Sequence, residues 1–92
     1  MITIDGTRGS ARASRLGSGG AERATSVVVV DDDAIVRAWL RMALEETEFH
    51  LVGEARTSAE ALELVERRRP DLLVVDYHLP DRPGTELVRE IR

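Results

Sequence analysis

Two short apolar segments, each followed directly by aspartate, constrain this chain of 92 residues more than any other feature. Residues 27–30 are four valines that lead into residues 31–33, which are all Asp, while residues 72–75 are Leu and Val and lead into Asp76. Apolar runs of this length are typical of strands that are buried on both faces, as in a parallel sheet. Because ligands of open α/β sheets bind outside the carboxyl ends of the strands, we expect these aspartates to meet at one edge of the sheet.

Converging carboxylates repel one another unless a cation lies among them. Mg²⁺ suits such a group of ligands, because it takes oxygen ligands and keeps coordination positions open for water and phosphate. The residues therefore predict Mg²⁺ as a cofactor of this chain.

The remaining apolar residues indicate the other elements of the fold. Ile35, Trp39 and Met42 recur at helical spacing and predict an amphipathic helix. Asp32 or Asp33 is its expected N-cap, and Trp39 is expected in the core. The predicted strands cover residues 27–30, 49–55 and 71–76, and the predicted helices cover residues 34–46, 57–68 and 84 onward. This βαβαβα order implies right-handed crossovers and a parallel sheet, so the predicted fold class is α/β.

The loop that follows Asp76 carries a further pattern. Pro80 stands four residues after Asp76, and Gly84 stands eight residues after it. Together with the acidic pair at residues 31–32, this loop resembles the phosphoacceptor segment of the response-regulator receiver domain. The resemblance extends over about residues 26–92.

The resemblance implies a partial doubly wound, flavodoxin-like parallel sheet with strand order 2-1-3, in which the last two βα units of the family are absent. Residues 27–92 are accordingly interpreted as the N-terminal part of a receiver domain. Residues 1–26, which are rich in Gly and Ser, are interpreted as a disordered or non-native leader. The strand at residues 71–76 would then have an open edge, through which we expect self-association.

The resemblance also implies a function in signalling. Asp76 would accept phosphate from a histidine kinase or a phosphotransfer protein, in the Mg²⁺-dependent phosphorelay of a bacterial two-component system. Asp32 and Asp76 would bind Mg²⁺ directly, Asp31 would bind it through water, and His78 would bind it through its backbone carbonyl. Such a chain is expected to be a signalling domain and not an enzyme.

Two residues that the family uses to hold and detect the phosphoryl group have no match here. The family pattern needs Ser or Thr at the end of a fourth strand and Lys at the end of a fifth, whereas this chain ends at Arg92 and contains no Lys. One charge-assisted hydrogen bond is worth roughly 1.5–3 kcal/mol, so its loss lowers a rate or an equilibrium about 10- to 100-fold. We therefore expect weak or absent phosphorylation, confined to Asp76.

Two other functions stay open at this point. The chain also agrees with a truncated, receiver-like fragment that binds partners without phosphotransfer. Residues 31–33, which follow four valines, also resemble the Asp-x-Asp nucleophile loop of haloacid-dehalogenase-like phosphatases. That interpretation leaves the pattern from Asp76 to Gly84 unexplained. A phosphorylation assay distinguishes these functions.

Charge and composition restrict the partners. Residues 27–92 carry nine Arg against fifteen Asp and Glu, a net charge of −6, which disfavours direct binding of nucleic acid by this segment. An output domain, which often binds DNA in this family, is not found in the chain. The sequence shows no secretory signal, no apolar stretch long enough to span a membrane and no Cys, so we expect a cytoplasmic protein without a membrane partner.

Overall fold

The computed structural model describes residues 1–5 and 25–91, and these residues form four strands and three helices. The strands are β1 (Ile2–Asp5), β2 (Thr25–Val30), β3 (Phe49–Ala55) and β4 (Leu72–Val75), and the helices are α1 (Ala34–Leu44), α2 (Ser58–Arg68) and α3 (Gly84–Ile91). From residue 25 onward the predicted elements are present, with bounds that differ by two residues or fewer. None of the helices described is long and apolar enough to cross a membrane.

The sheet has the strand order β1-β4-β2-β3, and its strands β2, β3 and β4 run parallel. Residues 27–30 of β2 pair with β4 on one side and with β3 on the other. These four valines are at most 1% exposed, so β2 is the buried centre of the sheet. The predicted α/β fold and the order 2-1-3 of its parallel strands are confirmed.

The hydrophobic core joins the sheet to α2, to α3 and to the loop between β4 and α3. Alternate residues of the central strands contribute to it, because successive side chains of a strand point to opposite faces. Its buried members are Val28, Val30, Ala55, Ala61, Leu73, Val75, Leu79 and Leu87. Leu79 belongs to the loop that follows β4, so the core attaches this loop to the body of the domain.

One of the four strands, β1 at the outside of the sheet, is not predicted by the sequence. Ile2–Asp5 pairs antiparallel with Leu72–Val75, and the side chain of Ile2 packs against the core. The prediction of an open edge at residues 71–76 is therefore wrong, and the self-association predicted through that edge loses its structural basis. The reason is that a strand distant in sequence covers the backbone groups that an open edge would expose.

The N-terminal segment differs from the prediction at both of its ends. Ile2–Asp5 is a strand rather than part of a disordered leader, and Thr25 already belongs to β2. A strand of four residues can form without a long apolar run of its own, because the neighbouring strand β4 supplies hydrogen-bond partners for its backbone. Residues 6–24 lie outside the described residues, so for them the interpretation as a leader stays a prediction.

Removal of residues 2–5 is expected to make the chain self-associate. Without β1, the outer backbone groups of Leu72–Val75 would form an unpaired edge, which is a template for a strand of another chain. Sedimentation velocity at rising protein concentration measures the effect: the intact chain keeps one sedimentation coefficient, and the shortened chain shifts to larger species. Thr3→Val, which retains the strand, is the control. A shortened chain that sediments like the intact one would contradict a protective role of β1.

Helix α1 leaves much of its apolar surface exposed. The prediction that Trp39 lies in the core is wrong, because this side chain is 68% exposed, and Ile35 and Met42 beside it are 79% and 66% exposed. The half-buried apolar row is the neighbouring one, with Val36 and Leu40. The apolar stripe of α1 is wider than its contact with the sheet, so periodicity alone selects the wrong side of the stripe.

Candidate metal centre

The ends of β2 and β4 place Asp31 and Asp76 side by side. Val30 and Val75 are partners in the parallel ladder, and each is followed directly by one of these aspartates. The backbone N–H of Asp76 donates to the carbonyl of Val30, and that of Asp31 donates to the carbonyl of Ala55, both at 2.9 Å. The sheet therefore fixes both backbones at the same edge.

Three carboxylates converge at this edge. One oxygen from each of Asp31, Asp32 and Asp76 lies within 4.8 Å of the other two. Asp31 is only 4% exposed, Asp76 is half-buried and Asp32 is exposed, so the cluster is open to solvent on one side. Oxygen donors at this separation suit a hard divalent cation such as Mg²⁺, which also keeps coordination positions for water.

The electrostatics of Asp31 favour a cation in this cluster. Burial raises the pKa of the Asp31 carboxyl, and repulsion from Asp76 and Asp32 raises it further, although the backbone N–H of Asp33 donates to its Oδ1 at 2.9 Å and acts in the opposite direction. A cation among the three carboxylates would cancel this repulsion. The donor set therefore fits the predicted metal.

Asp33 is engaged with helix α1. Its Oδ1 accepts hydrogen bonds from the backbone N–H groups of Ile35 and Val36, at 2.9 and 3.4 Å, so of the two N-cap residues that the sequence allows it is Asp33 that caps the helix. From the same helix, Arg37 donates to the backbone carbonyl of Asp31 at 2.6 Å. A phosphatase of the Asp-x-Asp kind needs its second aspartate as an acid and a base. The matching residue here, Asp33, instead caps a helix.

Ion pairs with β3 hold α1 beside the cluster. The Nε atoms of Arg37 and Arg41 lie 3.3 and 2.8 Å from carboxylate oxygens of Glu54. The hydrogen bonds from Arg41 hold the pKa of Glu54 below its usual value, against the effect of partial burial. The start of α1, and with it the backbone around the cluster, is thereby fixed to the sheet.

A short closed loop follows Asp76. The backbone N–H of His78 lies 3.4 Å from Asp76 Oδ1, and the N–H of Gly84 donates to the carbonyl of Tyr77 at 2.7 Å. His78 and Pro83 form an antiparallel bridge across the loop. His78 therefore stands beside the carboxylate of Asp76, and the binding of a metal through its carbonyl stays a prediction.

The loop also makes contacts that the sequence does not predict. The Asp81 carboxylate accepts hydrogen bonds from the backbone N–H and the hydroxyl of Ser58 and from the N–H of Ala59, at 3.0, 2.6 and 3.2 Å. These bonds, first the one from the Ser58 hydroxyl, hold the pKa of Asp81 at about 2. Arg82 Nε donates to Ser58 Oγ at 2.9 Å, and its guanidinium pairs with Glu90. The partners of Asp81 are more than twenty residues away in sequence, so no local pattern indicates them.

Comparisons with known proteins agree with this geometry. The family model described as "Response regulator receiver domain" matches residues 27–92. The chain is 42% identical, over 65 residues, to "Protein-glutamate methylesterase/protein-glutamine glutaminase 3" of Hahella chejuensis, covering 71% of this chain and 19% of that protein. It is 41% identical, over 69 residues, to "Chemotaxis protein CheY" of Halobacterium salinarum, covering 75% of this chain and 57% of that protein.

A solved structure of a response regulator is also similar to this chain. The two-component response regulator of the LuxR family from Aurantimonas sp. SI85-9A1 is similar with a TM-score of 0.69 and 37% identity, over 73% of this chain and 49% of that chain. The chain thus spans from about a fifth to just over half of the length of these proteins. The matched segment contains the parallel sheet and the acidic cluster. The chain therefore belongs to the response regulator receiver domain family of two-component systems.

Proposed function

We propose that this domain is a phosphoacceptor in which the carboxylate of Asp76 receives a phosphoryl group. One observation carries the proposal, which is the convergence of Asp31, Asp32 and Asp76 at the carboxyl edge of a parallel sheet. Asp76 is half-buried, so a donor can reach it, and its two neighbours supply the negative charge that attracts a cation. Membership of the receiver family supports the same function.

The transfer requires little covalent chemistry from the protein, since positioning and charge neutralisation dominate phosphoryl transfer. A carboxylate oxygen of Asp76 attacks the phosphorus of a phosphohistidine on a histidine kinase or a phosphotransfer protein. The new O–P bond forms as the N–P bond breaks. The imidazole leaves with the electron pair of that bond and takes a proton from solvent, and Asp76 becomes an acyl phosphate.

Mg²⁺ is the proposed cofactor. Asp32 and Asp76 would bind it directly, Asp31 through water, and His78 through its backbone carbonyl. When bound, Mg²⁺ supplies positive charge that offsets the charge of the phosphoryl oxygens. The fold does the positioning: the backbone N–H of Asp33 orients the carboxylate of Asp31, and the ladder holds the backbone of Asp76.

The domain is proposed to act as an acceptor and not as an enzyme. The methylesterase and glutaminase activities named for the Hahella relative are those of a protein of which this chain covers 19%. The 92 residues contain no Lys, so none of their side chains offers an ammonium group to the phosphoryl oxygens. We therefore expect the extent of phosphorylation to be about 10- to 100-fold lower than with such a group.

Mg²⁺ is expected to raise the melting temperature of the chain. A ligand that binds only the folded state stabilises it by about 2.7 kcal/mol at 100 times its Kd. Asp32→Asn should abolish the shift, because it removes a direct ligand. Asp33→Asn removes an equal charge, yet it should retain the shift. The side chain of Asp33 caps helix α1, and Asn caps a helix as well as Asp does. Thermal melts followed by circular dichroism, with Mg²⁺ or with EDTA, measure the effect. Equal shifts in the wild type and in Asp32→Asn would contradict the metal centre.

Incubation with acetyl phosphate tests the proposed function. In Mg²⁺, intact-mass spectrometry is expected to show a minor fraction of the chain that carries one phosphoryl group, and in EDTA it is expected to show none. Equal modification in Mg²⁺ and in EDTA would contradict the metal-dependent acceptor function, and a chain that stays unmodified in Mg²⁺ would favour a receiver-like fragment that binds partners without phosphotransfer.

A further inference from the structure

The loop that begins at Asp76 is attached at its far end to helix α2. Asp81 stands five residues after Asp76, and its two carboxylate oxygens accept three hydrogen bonds from Ser58 and Ala59. Ser58 is only 2% exposed, so its hydroxyl has little access to water as an alternative partner. The contact therefore joins the loop to a buried group and not to a mobile surface side chain.

The capping of the N-terminus of α2 is complete only with Asp81. The first helical bond runs from the N–H of Ala61 to the carbonyl of Thr57, which leaves three N–H groups of the first turn without helical partners. The N-cap Thr57 accepts from the N–H of Glu60 at 3.2 Å. The other two N–H groups, those of Ser58 and Ala59, donate to Asp81. Two of the three end groups of α2 are thus satisfied by the loop.

The same end of the loop has two further attachments. Arg82 donates to Ser58 Oγ and pairs with Glu90 of α3, so one side chain connects the loop to both helices. Leu79 is 8% exposed and packs in the core. Between these attachments and Asp76 lies His78, whose backbone N–H faces the Asp76 carboxylate.

We propose that Asp81 is a positioning residue for the phosphoacceptor site. It clamps residues 77–83 to the start of α2 and thereby holds the backbone of His78 beside Asp76. This inference rests on the proposed function, because the position of His78 matters only if the cluster binds a cation. Without the clamp the loop samples more conformations, so cation binding must also order the loop, and the entropic cost weakens binding. Ordering one backbone residue corresponds to about a tenfold change in a binding constant.

Calorimetric titration of the chain with Mg²⁺ tests the clamp. We expect Asp81→Asn to raise the Kd for Mg²⁺ about tenfold, because the neutral amide replaces a charged acceptor of three hydrogen bonds. The matched control is Thr57→Ala, which removes the other cap of the same helix end but leaves Asp81 in place. A merely structural role would change the melting temperature of both variants and the Kd of neither. An equal Kd in Asp81→Asn and the wild type would overturn the proposal.

Hydrogen exchange without any metal gives a second readout. The clamp predicts faster exchange of the backbone amides of residues 77–79 in Asp81→Asn, and unchanged exchange there in Thr57→Ala. Unchanged exchange in both variants would overturn the clamp, whatever the Kd. Ser58→Ala, which deletes the hydroxyl but retains both backbone donors, should give an intermediate Kd, and it replaces Asp81→Asn if that variant fails to fold.

The two proposals fail in different ways. A wild-type chain that binds no Mg²⁺ would overturn the metal centre, and with it the purpose of the clamp. A wild-type chain that binds Mg²⁺ as tightly as Asp81→Asn would overturn the clamp alone and would leave the phosphoacceptor function standing.

Discussion

An Asp76→Asn variant is expected to fold and to lose all phosphorylation by acetyl phosphate. The amide has no anionic oxygen that can attack phosphorus, and the cluster loses one of its three carboxylates. In EDTA the variant should melt at the same temperature as the wild type or at a higher one, because a source of repulsion on the buried Asp31 is gone. Intact-mass spectrometry and thermal melts on the same samples measure both effects.

Asp33→Asn is the matched control for this experiment. It changes the net charge by the same amount at the same edge of the sheet, and it preserves the N-cap of α1. It should be phosphorylated to the wild-type extent. A phosphorylated Asp76→Asn chain, or an Asp33→Asn chain that has lost phosphorylation, would contradict the assignment of Asp76.

Gly84→Ala is expected to destabilise the chain by about 3 kcal/mol or more, at the upper end of the cost of overpacking. A Cβ atom at Gly84 would lie 2.0 Å from the backbone carbonyl oxygen of Asp76 and 3.1 Å from a methyl group of Val75. The nearest atom belongs to the backbone, so it cannot move aside without displacing the end of β4 or the start of α3. Because that backbone carries Asp76, the variant should also bind Mg²⁺ more weakly. Urea unfolding measures the loss of stability.

Gly53→Ala provides the comparison for Gly84→Ala. A Cβ atom at Gly53 would lie 3.1 Å from the methyl groups of Leu64, which are the ends of a flexible side chain and can shift. Gly53→Ala should therefore lower the free energy of unfolding by less than about 1.5 kcal/mol, as small changes do where the core can adjust. Equal destabilisation by the two substitutions would show that the approach of Gly84 to Asp76 is not the limiting contact.

The parts of the fold that the sequence predicts are those with a strong local signal. The four valines before Asp31 have one stable environment, a strand with neighbours on both sides, and the structure places them there. The capping residue Asp33 stands at the start of α1 because its side chain accepts hydrogen bonds from N–H groups two and three residues away. Such short-range chemistry can be read from the sequence directly.

The parts that the sequence does not predict depend on distant partners. β1 is four residues long and is a strand because Leu72–Val75 offers it an edge. The exposure of Trp39 depends on which side of α1 meets the sheet, and the apolar stripe is too wide to decide this. Asp81 gains its role from Ser58, a residue 23 positions earlier in the chain. In each case the decisive contact exists only after the chain has folded.

The position of the phosphoryl group decides whether Asp76 is the phosphoacceptor. The chain is treated with acetyl phosphate and Mg²⁺, digested under mild conditions, and mapped by tandem mass spectrometry, with a parallel sample treated with hydroxylamine, which cleaves acyl phosphates. We predict that the phosphoryl group lies on Asp76 alone and that hydroxylamine removes it. A phosphoryl group on a hydroxyl side chain, stable to hydroxylamine, or a phosphoryl group on any side chain that is still present in Asp76→Ala, would contradict the claim that Asp76 is the phosphoacceptor.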